Sequence, residues 1–103
     1  MLKSLQLQEA VDLIKSNEDI QLLDIRSAME VNMTGSIKGS ILIDLNDPQS
    51  EHLVNNLDKS KKYLLYCATG ARSEALARYM DKSGFQEIYN LMHSGHSQLA
   101  MAL

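Results

Sequence analysis

Lys62-Tyr63-Leu64-Leu65-Tyr66-Cys67-Ala68-Thr69-Gly70-Ala71-Arg72-Ser73 is the stretch on which both fold and chemistry turn. Tyr63 to Tyr66 form a continuous apolar run of strand length, closed by a turn containing Gly70. Directly behind it Ala71, Ala75, Leu76, Tyr79 and Met80 recur at helical spacing, and Gly84 is a suitable C-terminal stop. Phe85 after Gly84 fits the apolar contact that accompanies such a cap. A strand feeding a helix through a short Gly-containing turn is the joint from which parallel α/β sheets are built.

The flanking sequence repeats that alternation. Leu7, Ala10, Val11 and Ile14 share a helix face, with a turn expected at Asn17-Glu18-Asp19. Ile20 to Ile25 reads as a strand, Ala28 to Met33 as a short helix, and Gly35 and Gly39 bracket a loop. Ile41 to Leu45 reads as the next strand. Asp47-Pro48 is expected to start a helix with its apolar face at Leu53, Val54 and Leu57. Ile88 to Leu91 gives a further strand and Gln98 to Leu103 a final helix. The fold class is therefore α/β, a mostly parallel central sheet with helices on both faces, in one domain over residues 1–103. Ligands in such sheets collect outside the carboxyl ends of the strands, where Cys67 and the Asp24–Arg26 segment both fall.

The totals exclude several classes. At 103 residues the chain suffices for one core. Its net charge of −3 gives no global basic field for nucleic acid or an anionic membrane. No apolar run reaches membrane-span length. Met1-Leu2-Lys3-Ser4-Leu5-Gln6 lacks the apolar core of a signal peptide, so a cytoplasmic location is the expectation. With one cysteine there is no internal disulfide. The six methionines read as core filler.

Cys67 carries the chemistry. A thiol at a strand end, before a Gly turn and a helix N-terminus, is surrounded by backbone N–H groups and faces the positive end of the helix dipole. Both effects favour the thiolate, and a pKa below the ordinary value of about 8.5 is expected. Arg72 opposes the dipole from the first helical turn, which suggests that it serves an anion. His52 reads as solvated. His93 and His96 have a spacing that can bind metal on a helix, yet no carboxylate or second cysteine stands at ligand spacing nearby. No metal and no organic cofactor are expected.

Cys67-Ala68-Thr69-Gly70-Ala71-Arg72-Ser73, fed by Tyr63 to Tyr66, resembles the active-site loop of single-domain rhodaneses, the thiosulfate sulfurtransferase family. Leu22-Leu23-Asp24-Ile25-Arg26, Glu30 and Gly35 to Ser40 resemble that family's upstream region in order and distance. The resemblance implies that the Cys67 thiolate takes a sulfane sulfur from thiosulfate or a similar small donor and holds it as a persulfide. A thiophilic acceptor then receives it: cyanide, a small thiol or a protein thiol. The N–H groups of Ala68, Thr69, Gly70, Ala71 and Arg72 would cradle the terminal sulfur, and Arg72 would orient the sulfonate end. Asp24, Arg26 and Glu30 would support the neighbouring loop. Ser36, Lys38 and Ser40 stand where the family has His, Pro and Ala; Ser94-Gly95 replaces a Gly-Gly pair, and the tryptophan after it is missing.

Two other functions compete with sulfur transfer. Phosphatases and arsenate reductases on the same scaffold enclose a tetrahedral oxyanion with five residues between Cys and Arg, whereas here four separate Cys67 from Arg72. A non-catalytic binding or regulatory module is the other, although such members typically lack the cysteine that this chain retains.

Overall fold

The computed structural model describes residues 1–17 and 19–103. Its strands are β1 (Leu2–Leu5), β2 (Gln21–Asp24), β3 (Ile41–Leu42), β4 (Lys62–Tyr66) and β5 (Glu87–Leu91). The helices are α1 (Leu7–Ser16), α2 (Ala28–Thr34), α3 (Ser50–Asn55), α4 (Ala71–Lys82) and α5 (His96–Ala102). All the strand pairs are parallel, in the order β1-β5-β4-β2-β3. From β2 the chain moves outward to β3, and from β4 it moves the other way to β5. The loops leaving β2 and β4 therefore diverge, opening a crevice at their carboxyl ends.

Strand alternation sends neighbouring residues to opposite faces. Leu23, Ile25, Tyr63, Leu65 and Ile88 join Val54 of α3 and Leu76, Ala77 and Met80 of α4 in one core. Leu22, Leu64, Tyr66 and Leu91 join Ala10 and Val11 of α1 and Leu99 of α5 in the other. Helices thus cover both faces.

Several boundaries differ from the sequence reading. β1 was not anticipated: only Leu5 of its four residues is buried, and its register with Ile88 to Leu91 is a long-range pairing. β3 pairs only Ile41 and Leu42, because Asp44 turns away to accept from Ala28 N–H (3.1 Å) and Asn46 N–H (2.9 Å). Asp47-Pro48 forms turns rather than a helix start; the Asp47 carboxylate accepts from Gln49 N–H at 2.9 Å, and α3 begins at Ser50. Val54 is buried, whereas Leu53 is exposed. On α4 the inward face is Ser73, Leu76, Ala77 and Met80, while Ala71, Ala75 and Tyr79 are exposed. Tyr79 instead donates to Asn55 across to α3 at 2.9 Å.

At the end of α4, Gly84 has φ +94° and Phe85 N–H donates to Met80 O, closing the helix with Phe85 buried. α5 begins at His96, earlier than expected, and the turn expected around Glu18 lies partly outside the described residues. The methionines are not mainly core: Met80 is buried, Met92 half-buried, and Met1, Met29, Met33 and Met101 are exposed. Among the described residues no helix is long and apolar enough to cross a membrane.

Candidate active site

Cys67 leaves β4 fully buried, at the mouth of the crevice. The next turn reverses through Gly70, whose φ of +103° suits glycine and aims its N–H at the sulfur, 3.0 Å from Sγ. A side chain at Gly70 would also bring Cβ within 3.1 Å of Leu91 O. In the first turn of α4, Ser73 is buried and its hydroxyl lies 3.4 Å from Sγ and 3.2 Å from Gly70 O. Burial pushes the Cys67 thiol up; the Ser73 hydroxyl and the N–H groups of Ser73, Thr69 and Gly70 outweigh it, leaving the pKa below the ordinary thiol value. Sequence reasoning stopped the cradle at Arg72 and missed Ser73, although this serine is the third residue of the helix and stands at the end of the quoted motif.

Arg72 turns from the sulfur toward α2. Its two terminal nitrogens donate to Glu30 Oε1 (2.6 Å) and Oε2 (3.0 Å), a bidentate pair. Arg72, and then the Ser27 N–H, hold the Glu30 carboxyl down to about 2. Glu30 also caps α2, accepting from Ser27 N–H at 2.9 Å while its own N–H donates to Ser27 Oγ at 3.1 Å. One carboxylate thereby ties the start of α2 to the cysteine loop.

Asp24 and Arg26 form a second, buried fork. Arg26 donates to Asp24 through Nε and one terminal nitrogen, each 2.8 Å, and reaches Thr34 Oγ1 (2.8 Å) and Gly35 O (2.7 Å). Ser36 donates to Asp24 at 2.7 Å, and Ser36 and Ser40 lie 3.1 and 2.8 Å from the Tyr66 hydroxyl. The serines that depart from the family pattern therefore fasten the Gly35–Gly39 loop to Tyr66, the residue before Cys67.

The third wall comes from α5. His96 N–H donates to Cys67 O at 2.8 Å, and Gly95 packs so closely that a Cβ there would stand 1.9 Å from Ala68 O. The Ser94-Gly95 pair keeps the glycine this contact requires. His93 is exposed before α5 with φ +60°, so it and His96 do not share a helix. His52 lies exposed on α3 beside Asn56. Among the described residues no cluster of three or more His, Cys, Asp or Glu is arranged to hold a metal.

Between these walls lies a pocket of ≈ 210 Å³ lined by Arg26, Glu30, Met33, Thr34, Ala68, His96 and Ser97. A larger hollow of ≈ 320 Å³ runs along α3 past Asp44, Asp47 and His52, and no residue of the cysteine loop lines it. The smaller pocket, bounded by Ala68, is the one that adjoins the Cys67 loop.

The family described as Rhodanese-like domain matches residues 6–95. YtwF of Bacillus subtilis, provisionally named a sulfurtransferase, is 32% identical over 75 residues, 73% of this chain and 70% of its own. The thiosulfate sulfurtransferase GlpE of Shewanella oneidensis is 27% identical over 89 residues, covering 86% of this chain and 84% of that one. A solved rhodanese-like domain protein from Staphylococcus aureus superposes with a TM-score of 0.79 at 25% identity, over 94% of this chain and 90% of that one.

Proposed function

The chain belongs to the rhodanese-like domain family, and from that premise we propose that it is a sulfurtransferase working through a persulfide on Cys67. The carrying observation is the sulfur's own environment, with Gly70 N–H and the Ser73 hydroxyl directed at Sγ. These donors stabilise negative charge on Cys67, both as the attacking thiolate and as the leaving group of the second step. In the first step Sγ attacks the outer sulfur of thiosulfate, the donor's S–S bond breaks, and sulfite departs with the electron pair. In the second a thiophilic acceptor, cyanide or a thiol, removes the outer sulfur.

The names of YtwF and GlpE support this reading. So does the four-residue interval between Cys67 and Arg72, a cradle tighter than a phosphate needs. Arg72, paired to Glu30 at the loop's edge, would meet the sulfonate as donor enters. Asp24 and Arg26 act by holding the opposite loop.

Intact-protein mass after incubation with thiosulfate tests the proposal. A gain of one sulfur atom, reversed by cyanide and absent in Cys67→Ser, is the expected result. No gain from thiosulfate or from polysulfide, with the thiol still alkylatable, would sink it.

A further inference from the structure

The pocket beside Ala68 contains one titratable side chain to which the sulfur chemistry above gives no task. His96 is only 8% exposed, and its ring lies over that of Tyr66, with centroids 6.1 Å and planes 26° apart. His96 lines the pocket together with Arg26, Glu30, Thr34 and Ala68. Its backbone N–H is spent on Cys67 O, but among the described residues its ring makes no hydrogen bond. Nor is either ring nitrogen sealed from solvent: Asn90 Oδ1 is the one buried side-chain oxygen or nitrogen without a partner among those residues. A buried imidazole at a pocket, with a ring nitrogen neither hydrogen-bonded nor sealed from solvent, is poised for a proton.

We propose that His96 is the general base for a small thiol acceptor and that this pocket is the acceptor's subsite. The proposal rests on the persulfide reading and extends it to the second step. A thiol of ordinary pKa, about 8.5, is mostly protonated at neutral pH and must lose its proton to attack. His96 takes that proton, and the acceptor sulfur bonds to the outer sulfur of the Cys67 persulfide. The bond from that sulfur to Sγ breaks, and its electron pair returns to Sγ under the Gly70 and Ser73 donors. The acceptor leaves as a persulfide, Cys67 is again a thiolate, and the imidazole passes its proton to solvent. Sulfane sulfur moves from one thiol to another, so no outside oxidant or reductant is needed.

The surroundings keep the base neutral. Burial first, and then the Arg26 guanidinium, hold His96 below its usual pKa, against an opposing pull from Asp24. Tyr66 under the ring and Glu30 across the pocket are the other titratable groups facing it, and Glu30 is held by Arg72. At ≈ 210 Å³ the pocket admits a small alkyl thiol.

The test isolates the second step. Cys67 is loaded with sulfur from thiosulfate, and in parallel from polysulfide, and the load is fixed by intact mass. Single-turnover discharge is then followed with mercaptoethanol and with thionitrobenzoate, an aromatic thiol already ionised at neutral pH. The parent is compared with His96→Gln and His96→Ala from neutral to alkaline pH. For both variants the loss with mercaptoethanol should exceed the loss with thionitrobenzoate by on the order of a hundredfold at neutral pH. That excess should vanish once the solution itself ionises mercaptoethanol.

Equal losses with both acceptors at every pH would make His96 a packing residue and overturn the inference, as would no loss with mercaptoethanol. Loading that fails with both donors overturns the persulfide reading and the base together; normal loading with equal losses overturns the base alone.

Discussion

At Cys67 burial and hydrogen bonding pull the thiol in opposite directions, and the donors prevail. Ser73 is the member of that set open to a clean substitution, because its hydroxyl alone distinguishes it from alanine. In Ser73→Ala the Cys67 pKa should rise by about one to two units, since a hydrogen bond to a charged group is worth about 1.5–3 kcal/mol and a unit about 1.36 kcal/mol. The midpoint of alkylation rate against pH measures it; an unmoved midpoint would assign the lowering to the backbone alone. Cys67, Gly70 and Arg72 were legible in the sequence because each is an uncommon choice for its place: a lone thiol, a turn glycine, a cation against a dipole. Ser73 was not, since serine in a first helical turn has many ordinary uses. His96 stands out in the sequence only for its spacing from His93, because its contacts with Tyr66 and Cys67 join segments far apart in the chain.

Between elements the controlling piece is the clasp from α2 to the cysteine loop. Glu30 sits well below its unfolded value of 4.5, at about 2, so its contribution to stability is complete above 4.5 and is lost as pH falls toward 2. Glu30→Gln should therefore lower the melting temperature at neutral pH and flatten its fall through that acid window, as read by thermal melts. A parallel fall in parent and variant would show that the clasp is not what acid releases. The Glu30 side chain is about one-third exposed (36%), which keeps the effect small. The elements easiest to read were those whose local signals agreed, β4 with α4 above all. Errors fell where a polar side chain overruled the apolar pattern: Asp44 cutting β3 short, Asp47 building turns before α3, Ser73 turning α4 inward. β1 gave no signal because a half-exposed edge strand of four residues has no periodicity to show.

For the molecule as a whole, β4 is the shared wall of two cores, with Leu65 facing one, Leu64 the other, and both fully buried. Leu64→Ala and Leu65→Ala should each cost about 2–5 kcal/mol in urea titrations, and secondary structure and tyrosine fluorescence should fall together. Separate midpoints for the two signals would mean that the faces unfold independently. That β4 borders both β2 and β5 was not legible in the sequence, for strand order is decided by pairings between distant segments. The existence of a parallel α/β sheet was legible, because it follows from alternation alone. The margins of that sheet have a consequence for life at high concentration. A long bare edge invites a second sheet to add to it, but here β3 offers two residues and β1 four, of which Lys3 and Ser4 are exposed. At such concentrations a neighbouring copy of this chain meets at most four residues of strand on either margin.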